Sequence, residues 1–346
     1  MTWSTVLSLL AATVVLLPSA QPGRPATPDS GSARVVRLAI TPARLDAAKS
    51  LSLLPGLEQQ TDGDGAELYA KALQALPQGL KAEQVQQWLG TPLDELPVAD
   101  VQAILQRAKT SLELASQGAT CKKCDWPPFR PGTMPANLSE YRDLARLLCL
   151  RAHLQIAQRQ YDDVIGTIRT GLAMARHIGE GPTVVQGLVG VAIAAMVLRC
   201  AEDVAQTPGS PNLYHAMQAL PRPLIDLNQP ISVELKGLDA NSQYSEATRN
   251  MMRRQMESSF DRVRQVMNRL DGTVAALQCI EALRHHVAAH DGSFPARLAD
   301  IADVELTADE KSFAYRLDES MATLEVLPPK GGRSKDAVRC EITVAR

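Results

Sequence analysis

The sequence predicts a mainly α fold: an irregular multi-helix body with one tetratricopeptide-like hairpin, closed by a small C-terminal α+β module built on a β-hairpin. Three observations predict it. Aromatic residues make up 4% of the 346 residues while Ala and Leu are abundant, and strands prefer β-branched and aromatic side chains. Apolar residues recur at helical spacing through most of the chain between residues 60 and 290. The last stretch switches to short alternating runs separated by turn residues.

The N-terminus carries an unbroken uncharged run, Val6–Leu17, followed by "PSA" ending at Ala20. An apolar core of this length before a small residue and a polar stretch reads as a secretory signal over 1–20, cleaved after Ala20. The run is short for a spanning helix, and no Cys lies near the cut to carry a lipid. Residues 21–34 read as a disordered Pro/Gly/Ser linker. Membrane attachment is expected only through an uncleaved N-terminus.

Two larger regions follow: a helical body over 35–271, and a long helix with a small antiparallel β module over 272–346. Residues 34–60 read as extended chain and loop, punctuated by Pro42 and Pro55. "GAELYAKALQAL" places Leu68, Ala72, Leu73 and Leu76 on one side, and Pro77 stops it. "VADVQAILQRAKTSLELAS" reads as the next helix and leads into "GATCKKCDWPPFRPG". Then Leu144, Leu147, Leu148, Leu154 and Ile156 supply one apolar face, Gln158–Gln160 forms a joint, and Val164, Ile165, Ile168, Leu172 and Met174 supply a second. No second copy appears at the period of a repeat array, so one hairpin is expected. Val184–Leu198 is nearly all apolar, the pattern of a helix buried inside a larger body.

Beyond it, Ser210 as N-cap, Pro211 in the first turn and Pro221 as terminator predict a short helix. Residues 231–290 return to helix, expected to break near Asp271–Gly272. Phe313–Leu317 and Ala322–Val326 read as a hairpin across "DESM", with "AVRCEITVA" as a third strand.

Net charge is −2 and the sequence pI is near 6.3, so nothing global points to nucleic acid or an anionic surface. The densest basic stretch, Arg249–Arg269, is interrupted by Glu257 and Asp261 and reads as a solvated helix face.

Three constellations could carry chemistry. Around the rigid turn "LPRPLID", Asn212, Tyr214, Arg222, Asp226 and Glu234 offer polar groups for a ligand pocket, or for an internal ion pair and hydrogen bonds that hold the turn against the helices. Cys121 and Cys124 have the spacing of a local disulfide; prolines after them argue against a thioredoxin-like site, and no second ligand pair supports zinc. Cys149, Cys200 and Cys279 fall among apolar helix residues and read as buried small hydrophobes. His286 and His290 share a helical face at a spacing that can bind metal, but Val287 stands where a zinc protease needs Glu. No hydrolase elbow, phosphate loop or dinucleotide fingerprint is present, and no cofactor is expected.

"YRDLARLLCLRAHLQIAQRQYDDVIGTIRTGLAMARHIGEGPTVVQGLVGVAIAA" and "PNLYHAMQALPRPLIDL" resemble a family of exported, mainly helical bacterial proteins of unknown function. The likeness covers most of residues 50–330. It implies architecture and compartment, and no activity. "ALQCIEALRHHVAAHDGSFPARLADI" with the strands after it is similar to the helix–turn–strand layout of type II secretion pseudopilins. The expected function is an exported helical binding or scaffold protein of the cell envelope, whose partner would be another envelope protein. The alternatives are an envelope enzyme using a metal or dithiol site, and a pseudopilin-related secretion accessory.

Overall fold

The computed structural model describes residues 34–46, 51–128, 137–240, 242, 244–302, 304, 313–326 and 337–345. The signal segment expected over 1–20 lies outside the described residues, as does the linker up to residue 33. The described residues begin with strand β1 (Arg34–Ile40), then β2 (Thr61–Asp64) and four helices: α1 (Gly65–Gln74), α2 (Ala82–Leu89), α3 (Val98–Arg107) and α4 (Lys109–Thr120). Strand β3 (Cys121–Lys123) pairs parallel with β2. The body continues with α5 (Leu138–Ala157), α6 (Tyr161–Gly179), α7 (Val184–Gln206), α8 (Tyr214–Gln218), α9 (Asn228–Asp239) and α10 (Glu246–Ala289). Strands β4 (Phe313–Asp318), β5 (Met321–Val326) and β6 (Val338–Val344) follow.

The expected hairpin is α5 and α6. Its joint turns at Arg159, which takes a left-handed φ of 58°. The apolar faces named from periodicity are buried: Leu144, Leu147, Ile168 and Leu172 are all at 0% exposure. At about 1.5–3 kcal/mol for each fully buried aliphatic side chain, this seam is a main source of stability.

Helix α7 is long and apolar enough to cross a membrane by length and composition, and it lies buried among the other helices. Thr183 caps its start by accepting from the Gln186 amide. Gly190 lets α7 approach α6 at backbone distance: a Cβ there would meet the Ala175 carbonyl oxygen at 2.5 Å.

The C-terminal strands form a four-stranded sheet in the order β1-β6-β5-β4. Strands β4, β5 and β6 are antiparallel, and Glu319 with Ser320 makes the tight β4–β5 turn. Strand β1 adds parallel to β6, Arg34 to Ile40 against Val338 to Val344. Two expectations are corrected here. The module is a mixed sheet, because the stretch read as extended chain supplies its fourth strand. The boundary at 271/272 is crossed by one helix, since α10 runs unbroken for 44 residues. Gly272 does not stop it: a Cβ at that position would meet Val326 Cγ1 at 3.1 Å, so the glycine serves the approach of helix and sheet.

A third correction concerns the helix expected from Ser210. Ser210 is not its N-cap, because its hydroxyl donates to the Val204 carbonyl at 2.6 Å and accepts from Arg284 at 2.7 Å. Asn212 starts the turn instead, its Oδ1 accepting from the Tyr214 amide at 2.9 Å.

Candidate functional site

Charged side chains inside a helix of a globular body are rarely buried unless paired. Glu281 and Arg284 of α10 are such a pair, one turn apart, with Arg284 Nη1 2.8 Å from Glu281 Oε2. Burial pushes the Glu281 carboxyl above the usual carboxylate range, and Arg284 and the Leu213 amide oppose that rise.

The pair organises two loops. Arg284 Nε donates to the Thr41 carbonyl at 2.8 Å, Nη1 to the Pro211 carbonyl at 3.1 Å and Nη2 to Ser210 Oγ at 2.7 Å. Glu281 Oε2 accepts from the Leu213 amide at 3.0 Å. Asn212 Nδ2 donates to both the Ala43 and Glu281 carbonyls, each at 2.9 Å. The Leu45 amide donates to His285 Nδ1 at 3.1 Å. The segments after β1 and after α7 are thus stitched to one face of α10 and to each other.

Between these segments opens a pocket of about 310 Å³. Pro42 to Asp46 with Leu51 form one wall, and Gly209 to Asn212 with His215 and Ala216 form the other. Arg44, Asp46 and His215 are exposed at its edge. Loops carry binding when a rigid scaffold positions them, and here the scaffold is a buried ion pair with its polar atoms engaged. The pocket sets Arg44, Asp46 and His215 beside Pro42, Leu45, Leu51 and Ala216, so its lining offers both charged groups and apolar surface. A second concavity of about 670 Å³ runs along α3, α4 and α5, with Gln102, Gln106, Lys109, Glu113 and Arg151 above Leu105 and Leu112. It is a shallow channel between helix faces.

Of the five residues expected to form a pocket, only Asn212 lines this one. Tyr214 is 1% exposed and belongs to the core. Arg222 turns to α10, donating to the Asp271 carbonyl at 2.7 Å and to Gln278 Oε1 at 3.3 Å. Asp226 accepts from the Asn228 amide and side chain, both at 2.9 Å, at the start of α9. Glu234 accepts from the Val184 amide at 2.8 Å, at the first residue of α7, and burial pushes its carboxyl up to about 7. Arg222 and Asp226 therefore serve different elements: no ion pair joins them among the described residues, while hydrogen bonds from Arg222 and from the Leu224 amide hold the turn against α10.

The cysteine expectation is also corrected: Cys121 and Cys124 are free thiols. Cys121–Lys123 is extended, and three residues at about 3.3 Å each carry the Cα atoms beyond the roughly 7 Å reach of a disulfide. The neighbourhood is structural. Trp126 Nε1 donates to the His177 carbonyl at 2.7 Å, its ring packs edge-on against Tyr141, and Asp64 Oδ1 accepts from the Asp125 amide at 2.9 Å. His177 Nδ1 and the Tyr69 hydroxyl share a hydrogen bond of 2.8 Å, and burial holds the imidazole down to about 4.

His286 and His290 do not converge on an ion. Their rings stack with centroids 3.8 Å apart and planes 14° apart, whereas a metal lies in the plane of each imidazole that binds it. His290 Nδ1 is bound to the His286 carbonyl at 2.8 Å. Among the described residues no group of three or more His, Cys, Asp or Glu could hold a metal ion.

Sequence reasoning missed Glu281 and Arg284. A signal was available: two opposite charges at i and i+3 inside "QCIEALRHHVAA", flanked by Cys279, Ile280, Ala282 and Leu283. The chain matches no family model, no curated protein and no solved structure.

Proposed function

We propose that the protein is an exported helical binding or scaffold protein of the cell envelope, and that it takes a small polar ligand in the pocket between Pro42–Asp46 and Gly209–Ala216. The observation that carries this reading is the clamp beneath the pocket. Three carbonyls, an amide and a serine hydroxyl from two separate surface segments converge on Glu281 and Arg284. Preorganised walls spare a ligand the cost of ordering them. The uncharged run Val6–Leu17 ending in "PSA" supports export.

The test is a ligand-observed NMR screen of small polar molecules against the chain from Gln21 onward and its His215→Trp variant. His215 is exposed at the mouth, so the indole blocks entry without entering the core. Ligands that bind the parent chain and not the variant, at equal melting temperature, support the reading. No ligand distinguishing the two sinks it. Turnover in a broad hydrolase screen that is lost in Arg44→Ala would replace binding by catalysis. Fractionation of the source cells, with sequencing of the mature N-terminus, tests export and cleavage after Ala20.

A further inference from the structure

A cation drawn out of water is normally met by a carboxylate or by hydrogen bonds to all of its donors. Half-buried Arg151 of α5 is met on one edge only. Its Nε donates to Thr167 Oγ1 at 3.1 Å, and that hydroxyl donates onward to Gln155 Oε1 at 2.8 Å. Among the described residues, Nη1 and Nη2 bond to nothing and no carboxylate pairs with them. Burial pushes the guanidinium below its ordinary range, and Asp163 opposes that fall without forming an ion pair.

The place of Arg151 gives the open nitrogens a use. It lines the channel of about 670 Å³ along α3, α4 and α5, a volume within the roughly 300–1,000 Å³ of small-molecule sites. Leu154 lines the channel three residues on, on the same face of α5. Leu105 of α3 and Leu112 of α4 line it too, and all three leucines are buried. Lys109 and Glu113, also in the lining, pair with each other at 3.8 Å. They balance one another and leave Arg151 as the unmatched charge of the channel. Its wall on α3 carries Gln102 and Gln106, which are polar and uncharged.

We propose that this channel is a second binding site and that it takes a small amphipathic carboxylate. The planar fork of Nη1 and Nη2 matches the two oxygens of a carboxylate. One cation balances one negative charge, so a monoanion suits the site better than a phosphate dianion. A hydrocarbon chain then lies along the shallow channel over Leu105, Leu112 and Leu154, which removes apolar surface from water. Thr167 is a positioning residue, because it holds Nε and leaves the other two nitrogens for the ligand.

The experiment titrates octanoate into the full chain by calorimetry, beside acetate, octanol and octyltrimethylammonium. Octanoate should bind. The other three should be at least about tenfold weaker, because each lacks the chain, the charge or its sign, and a charge-assisted hydrogen bond is worth at least that factor. Arg151→Gln should weaken octanoate by at least about tenfold at an unchanged melting temperature. Ala103→Trp should weaken it as well, since Ala103 is exposed on the α3 wall and an indole there covers the apolar floor. Should Arg151→Gln not fold, Ala103→Trp decides, because its substitution stays outside the core. The proposal fails if millimolar octanoate does not bind, if octanol binds as tightly, or if either folded variant binds octanoate like the parent. It also fails if binding is lost in His215→Trp and kept in Ala103→Trp, which would put the carboxylate in the other pocket. The two sites share no residue, so either reading can fall while the other stands.

Discussion

Arg284 and Glu281 hold each other inside the protein, with side-chain exposures of 0% and 2%. Removing one partner strands the other. Arg284→Ala should cost about 3–5 kcal/mol, the range for breaking a buried pair, and urea unfolding measures it. Replacing both, as Glu281→Gln with Arg284→Met, should cost clearly less, because no bare charge remains. The single variant should also expose the segment after β1 to limited proteolysis, since the Thr41 carbonyl loses its Arg284 donor.

Glycines in α6 and α7 should separate into two classes. At Gly190 an added Cβ meets the Ala175 carbonyl at 2.5 Å and the Gly179 backbone at 2.7 Å. Backbone cannot step aside as a side chain can, so Gly190→Ala should destabilise by at least about 1–3 kcal/mol. At Gly166 nothing lies within 4 Å of the same added atom. Gly166→Ala removes unfolded-state freedom inside a helix and should stabilise by about 0.5–1 kcal/mol. Thermal unfolding of the two variants beside the parent chain checks both signs.

The helical body was legible where periodicity and burial agree. The faces at Leu144–Ile156 and Val164–Met174 and the apolar run of α7 became the core they announced. The β4–β5 hairpin was legible because it is local. What was not legible depends on contacts distant in sequence. Strand β1 becomes a strand by pairing with β6, some three hundred residues away. Gly272 reads as a breaker until β5 is placed beside it. The candidate site failed for the same reason. Arg222 and Asp226 are close in the chain, yet each bonds to a different helix. Glu281 and Arg284 carry ordinary surface residue types; their apolar neighbours in the chain hint at burial, and the packing of α10 shows it.

Glu234 should make stability fall as pH rises. Its folded carboxyl is raised from 4.5 to about 7 by burial, so between these values the folded chain binds more protons than the unfolded one. Stability is then full below about pH 4.5 and is lost as pH climbs through 7. The loss amounts to about 3 kcal/mol, since each tenfold change in proton affinity is worth roughly 1.4 kcal/mol. Glu234→Gln keeps an oxygen to accept from the Val184 amide and carries no charge. It should abolish this slope and exceed the parent chain in stability at pH 8, as read by urea unfolding at pH 5 and 8.

His177 should act in the opposite direction. Burial is the main cause that lowers its imidazole from 6.5 to about 4, with Arg176 adding to it. The Tyr69 hydroxyl is hydrogen-bonded to Nδ1 at 2.8 Å. Between pH 6.5 and 4 the unfolded chain binds the proton and the folded chain does not. This contribution is therefore present above pH 6.5 and is lost as pH falls towards 4, again by about 3 kcal/mol. His177→Gln should remove that slope. Tyr69→Phe should cost about 1 kcal/mol for the lost hydrogen bond while leaving the slope largely in place, because burial rather than the hydroxyl sets it. Over about pH 4.5 to 6.5 the His177 and Glu234 slopes oppose each other, so the parent chain should be nearly flat. Glu234→Gln alone should then gain stability as pH rises, and His177→Gln alone should lose it. A titration of the His177 ring proton by NMR with a midpoint near 6.5 would overturn the His177 half of this pairing.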